Sequence, residues 1–317
     1  MAQLVKLLDY ISRYENDLTR YPNQFLRLKR YQWDRMKVQW EAGSNHSMWE
    51  EIPEEEEKEK KGLSSFFRFW ESRSEEQELE EKKSDVAEEE EDFGFSPNIV
   101  YTPDTIEQLR KLYLDQLFHF QIKWASSTLM DKSRVDPKYM RDSLLRSFTQ
   151  SLPDSYLLFY HPIIKLQKAP VELDIIIITP IECMCITILE EEDLAAFSGS
   201  SDRFWTKRFK EKESKVLNPI LSLNRMGKIV GQLLREREID FPIKKYLISR
   251  NGYIDYPTSA FDVKVVDRRA YDTWFSSINS ITTPLKFTQF QAAQTILDVG
   301  QTTAMSRLFE QDEEELS

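Results

Sequence analysis

The most constraining stretch of this chain is residues 171–189, ValGluLeuAspIleIleIleIleThrPro followed by IleGluCysMetCysIleThrIleLeu. Two apolar, β-branched runs meet at a Thr-Pro turn. Nearly continuous apolar runs of strand length belong to a sheet covered on both faces. An expectation follows at once: a sheet sandwiched by helices rather than a bundle. The surrounding pattern agrees. Tyr156 to Leu166 reads as a preceding strand distorted at Pro162, and Ile243–Ser249 and Phe261–Val266 as later strands. Helical spacing is read over Ile106–Trp124, with Thr102 as cap and Pro103 in the first turn. It recurs from Asp136-Pro137 to Pro153, over Pro219–Arg237, and in two closing helices, Ala270–Asn279 and Lys286–Val299. His119 reads as a packed histidine among apolar neighbours. The expected class is α/β, a mixed sheet flanked by helices with an N-terminal helical arm.

Four segments are expected along the chain: a helical arm (1–42), an acidic disordered linker (43–98), an α/β domain with flanking helices (99–304) and an acidic tail (305–317). In the arm, Leu4, Leu7, Leu8 and Ile11 fall at helical spacing. Beyond Pro22, Phe25, Leu28, Trp33, Met36 and Trp40 interleave with Arg27, Lys29, Arg30, Arg35 and Lys37. That pattern suits an arm packing on its own domain or a partner, and also contact with nucleic acid or an anionic membrane surface. The net charge of -11 is concentrated: residues 50–92 hold 19 acids and 7 bases, whereas residues 93–317 carry only -2. Such acidic sequence buries too little apolar surface to offset ordering entropy. One island interrupts it, Phe66, Phe67, Phe69 and Trp70, a candidate partner-binding element that docks a protein, touches a membrane surface or tucks onto its own domain.

Cys183 and Cys185 are the only cysteines, one residue apart, which excludes a disulfide framework and points to a reducing, cytoplasmic setting. No apolar run is long enough for a transmembrane segment, and the N-terminus lacks a secretory-signal pattern. With three scattered histidines, zinc is not expected.

Residues 138–255 resemble the nuclease-related domain family called NERD. The likeness rests on Leu152-Pro153 closing a helix, the Asp-containing run 171–180, a second strand ending near Leu189, Trp205, and Asn218-Pro219 leading a helix. The resemblance implies a restriction-endonuclease-like fold and a PD-(D/E)xK site. In such a site an Asp and a Glu hold Mg²⁺, and a Lys two residues after the Glu steadies the phosphate. Asp174 stands at the metal-binding Asp, with Glu172 two residues earlier on the expected same face. The second acid and the Lys are lost: their positions hold Thr187 and Leu189. Ser222 and Met226 replace the family's Gln and His, and Asp142 is the nearest acid at the preceding helix start. Relocation onto Glu190, Glu191, Glu192 or Asp193, with Lys207, Lys210 or Lys228, would be needed for chemistry. Otherwise Asp174 is a relic, satisfied by backbone N–H groups, Arg225 or Lys228.

The expectation is therefore a non-catalytic, NERD-like binding or scaffolding protein without a cofactor, taking a protein partner. The alternatives are a Mg²⁺-dependent DNA endonuclease with relocated residues, and a membrane-surface or protein adaptor acting through the aromatic island.

Overall fold

A computed structural model describes residues 1–47, 95–166, 169–256, 262–281 and 283–304. The aromatic island, most of the acidic linker and the acidic tail lie outside the described residues. Two compact units are present: Met1–Trp33 with Pro103–Ser317, and Asp34–Thr102.

In the larger unit the strands are β1 (Gln3–Leu7), β2 (Leu157–Tyr160), β3 (Ile163–Lys165), β4 (Pro170–Glu172), β5 (Ile175–Ile178) and β6 (Cys183–Ile188). They continue as β7 (Ala196–Ser198), β8 (Phe204–Phe209), β9 (Lys212–Leu217), β10 (Ile243–Ile248), β11 (Tyr253–Asp255) and β12 (Val263–Val266). The helices are α1 (Arg20–Ser47), which runs on into the second unit, α2 (Ile106–Trp124), α3 (Pro137–Met140), α4 (Ser143–Ser151), α5 (Pro219–Glu236), α6 (Tyr271–Asn279) and α7 (Phe287–Asp298).

The main sheet has the order β1-β2-β5-β6-β10-β12. Five strands run parallel and β5 alone is antiparallel to its neighbours. Every residue of β2 and β5 is buried, as strands covered on both faces require. One face carries α2, α4 and α6: Phe148 stacks on Phe275, Arg146 pairs with Asp115, and the Tyr156 hydroxyl donates to Ile278 O. The other carries α5 and α7. There Gln289 Nε2, wholly buried, donates to Ser155 O and Ile178 O at 2.5 and 2.9 Å. At Gly227 of α5 a Cβ would stand 2.9 Å from Lys245 Cδ, so glycine lets the helix settle on β10. The α/β class with a helix-flanked mixed sheet is as expected.

The arm differs from expectation. Gln3–Leu7 is not helical but a fully buried edge strand, parallel to β2, and Met1–Trp33 belongs to the α/β body. Leucines spaced three and four apart fit a helix face, but they equally fit a strand buried on both sides, and local sequence cannot choose. Tertiary partners for the two polar residues decide it. Gln3 Nε2 donates to Asp154 O, and Lys6 Nζ donates to Tyr10 O and Thr302 Oγ1 and pairs with Glu15. A helix does span Pro22, which lies in the first turn of α1 where its missing N–H costs nothing.

Smaller corrections follow from caps. Thr105 rather than Thr102 caps α2, accepting from Gln108 N. The helix expected from Asp136 breaks at Asp142, which caps α4 by accepting from Leu144 N and Leu145 N. His119 is exposed rather than packed. A second sheet, β11-β7-β8-β9, was not anticipated; β9 is exposed over most of its length and rich in Lys and Glu, so it carries no apolar alternation to read.

Candidate functional site

The carboxyl ends of the five parallel strands share one edge of the main sheet, where ligands bind in open α/β sheets. Asp174, at the start of antiparallel β5, lies on that same edge. One step beyond the register pair Ile175–Ile186 it faces Thr187 of β6. The Thr187 hydroxyl, buried, donates to Asp174 Oδ2 at 2.5 Å. Ser222 Oγ, from the second turn of α5, donates to the same oxygen at 3.5 Å and to Pro219 O at 3.0 Å. Asn218 caps that helix by accepting from Ile220 N, with Pro219 in its first turn, so local sequence fixes where Ser222 arrives. Leu189, just past β6, is buried. Asp174 is thus held chiefly by the Thr187 hydroxyl, the single Ser222 proton having its closer acceptor in Pro219 O, and not by backbone N–H groups, Arg225 or Lys228; both of those bases are exposed.

Glu172 does not join it. The run 171–179 is not one strand: β4 pairs with β3 in a separate ribbon, and β5 starts after Asp174. Side-chain alternation therefore does not carry across the break. The Glu172 carboxylate lies 3.4 Å from His161 Nδ1 and is 59% exposed. His161, at φ 51, turns the chain and donates its N–H to Asp174 O.

The acids and bases suggested for relocation have other partners. Glu190 is held by Arg250 through Nε and Nη2, at 2.6 and 2.7 Å. Lys207 binds Glu191 and Glu192. The exposed side chain of Asp193 accepts from Asn251. Lys210 and Lys228 are exposed. Asp142 accepts from the Tyr160 hydroxyl at 2.7 Å. Tyr160 pairs with Ile175 and so points to the face opposite Asp174. Burial first, then the Asp142 hydrogen bond, drives the Tyr160 pKa far above the ordinary phenol value. Lys245, which the sequence did not single out, contacts Asn224 Oδ1 at 2.8 Å and Asp262. Met226 is buried in the core. Cys183 and Cys185 are buried free thiols, and the hydrogen bond with Cys185, together with burial, raises Cys183 well above the usual thiol range.

These residues do not fit Mg²⁺. The ion takes hard oxygen ligands with at least one or two carboxylates, and one carboxylate already bonded to the Thr187 hydroxyl offers too little. Among the described residues no group of three or more His, Cys, Asp or Glu is placed to hold a metal ion. No described helix is long and apolar enough to cross a membrane.

Comparison with known proteins adds one short likeness. A 42-residue stretch is 57% identical to an RNA 2',3'-cyclic phosphodiesterase of Geobacillus stearothermophilus, spanning 13% of this chain and 13% of that protein's length. No family model and no solved structure matches the chain.

Proposed function

We propose that the chain is a NERD-like protein whose restriction-endonuclease-type core binds or scaffolds and does not cut. The observation that carries this reading is the Thr187–Asp174 hydrogen bond. A neutral hydroxyl occupies the position of the second metal-binding acid and satisfies the first. Leu189 beside it can neither donate a proton nor balance a phosphate charge. The strand pairing that sets Asp174 opposite Thr187 is the arrangement the family resemblance implies, which supports the kinship. The 42-residue likeness is too short to bear on activity.

The principal partner in this reading is a protein, docked by Phe66, Phe67, Phe69 and Trp70, the same island that would meet a membrane surface. Nucleic acid is favoured by a separate feature. Residues 203–215 carry six bases and two acids. Arg203, Lys210, Lys212 and Lys215 on the β8–β9 hairpin are exposed. Arg203 and Lys210 lie 5.6 and 5.2 Å from the ring centroids of Phe204 and Phe209. Bases beside aromatic rings suit a nucleic-acid backbone and its bases.

Calorimetric titration of the full chain with Mn²⁺, beside a plasmid-nicking assay, tests the central reading. We expect neither metal binding near millimolar Mn²⁺ nor cleavage. Metal-dependent nicking that disappears in Asp174→Ala would replace this reading with the nuclease. Oligonucleotide binding without cleavage, weakening steeply as salt rises, would identify nucleic acid as the partner.

A further inference from the structure

Away from the sheet edge, α1 and α2 line an open cleft with a cavity volume of about 340 Å³ in the larger unit. Lys29, Arg30 and Trp33 reach it from α1, at positions i, i+1 and i+4. From α2 come Ile106, Glu107, Arg110, Tyr113 and Leu114. The volume lies in the range of small-molecule sites. Its chemistry is divided in two. One part is aromatic and apolar: the Trp33 and Tyr113 rings stand 5.3 Å apart at 54°, beside Ile106 and Leu114. The Tyr113 hydroxyl donates to Lys29 O at 2.5 Å, which fixes that ring. The other part is cationic. Arg30 and Arg110 are exposed, and neither guanidinium carries an ion pair or side-chain hydrogen bond among the described residues.

The charge around these arginines is under-neutralised. Asp154 pairs with Lys29 Nζ at 2.5 Å, so that carboxylate is already engaged by a lysine. Among the described residues Glu107 is the only acid lining the cavity. Two free guanidiniums beside a half-buried indole are an arrangement for a ligand with a flat ring at one end and more than one negative charge at the other. Guanidinium forks match phosphate oxygens, and an indole face accepts a planar base.

We propose that this cavity binds a nucleoside diphosphate, with the base against Trp33 and the phosphates held by Arg30 and Arg110. The site is separate from Asp174 and does not depend on the family reading; Mn²⁺ titration and nicking leave it untouched.

The test is calorimetry of the full chain with ADP, adenosine and pyrophosphate, without divalent metal. ADP should bind measurably below millimolar concentration, with adenosine and pyrophosphate each at least tenfold weaker. Arg110→Gln and Arg30→Gln should each weaken ADP about tenfold, the order expected from losing one charge-assisted phosphate contact. Both residues are exposed, so melting temperature should not move, and either variant can stand in if the other folds poorly. Trp33→Leu should bring ADP down to the affinity of pyrophosphate. Arg235→Gln, an exposed position of α5 on the opposite face of the main sheet, should leave ADP binding unchanged. The proposal is overturned if ADP fails to bind at about millimolar concentration, if pyrophosphate binds as tightly as ADP, if both arginine variants match the parent chain, or if Arg235→Gln abolishes binding.

Discussion

Asp174 and Asp267 sit on the same edge of the main sheet, and their surroundings are opposite. Asp267, directly after β12, is 5% exposed. It accepts from Ile254 N at 3.3 Å and Arg269 N at 3.0 Å, and pairs with the Arg269 guanidinium at 2.5 Å. Its carbonyl also accepts from Ala270 N and Tyr271 N at the start of α6. One side chain thereby ties β11 of the small sheet to the end of the main sheet. A carboxylate built for architecture is surrounded by N–H donors and a guanidinium. Asp174 is met by a hydroxyl alone, with no cation or N–H donor to its carboxylate among the described residues. The contrast separates the two acids more sharply than burial does.

Substitutions test that contrast. Asp267→Ala should cost the most, about 2–3 kcal/mol, because the Ile254 N–H loses its acceptor in a buried setting; chemical denaturation would measure it. A loss under half that would remove the architectural role. Thr187→Glu comes next. Opposed to Asp174 without a cation it should destabilise by about 2 kcal/mol, and Mn²⁺ should raise its melting temperature where it does not raise the parent's. If Mn²⁺ leaves the variant unmoved, the edge is not a metal site lacking one acid.

A pH series gives the third measure. Burial alone would raise the Asp267 pKa, but Arg269 and the N–H groups of Ile254 and Arg269 outweigh it and hold the carboxyl below its ordinary 3.8. Its folded pKa lies under the unfolded one. The stabilisation is therefore complete above the ordinary value and is lost as pH falls through the folded value. Asp267→Asn should flatten the acid limb of stability, measured as a loss of its dependence on pH below the ordinary carboxylate range. Asp174→Asn should change least, within about 0.5 kcal/mol, since Thr187 can donate equally to an amide oxygen. A large loss there would mean that Asp174 anchors structure after all.

The strands and helices of the core were legible because apolar periodicity is strong from Tyr156 to Ile188 and through α5. Their interruptions were less so. Pro162 announced the break between β2 and β3, but nothing local marked the break at Leu173–Asp174 that sends Glu172 into another ribbon. The small sheet escaped reading because β7 and β11 are short and β9 is largely exposed. At the edge, the order of residues along the chain locates Asp174, Thr187 and Leu189, and the β5–β6 pairing sets Asp174 opposite Thr187. Ser222 was noticed only as a departure, and its hydroxyl reaches the acid because α5 packs over β6. Arg250 gave no signal, since its partner Glu190 is 60 residues away.

By itself the sequence determined the α/β class, the apolar centre of the sheet and the uncharged character of Thr187 and Leu189 on the strand after Asp174. These follow from local periodicity and residue chemistry. Tertiary structure alone decided that Gln3–Leu7 is a strand, that Glu172 leaves Asp174, and that α1 and α2 line a cationic cleft around Trp33. Each of those outcomes depends on partners distant in sequence, whose hydrogen bonds and packing outweigh a local preference worth only a fraction of a kcal/mol per residue.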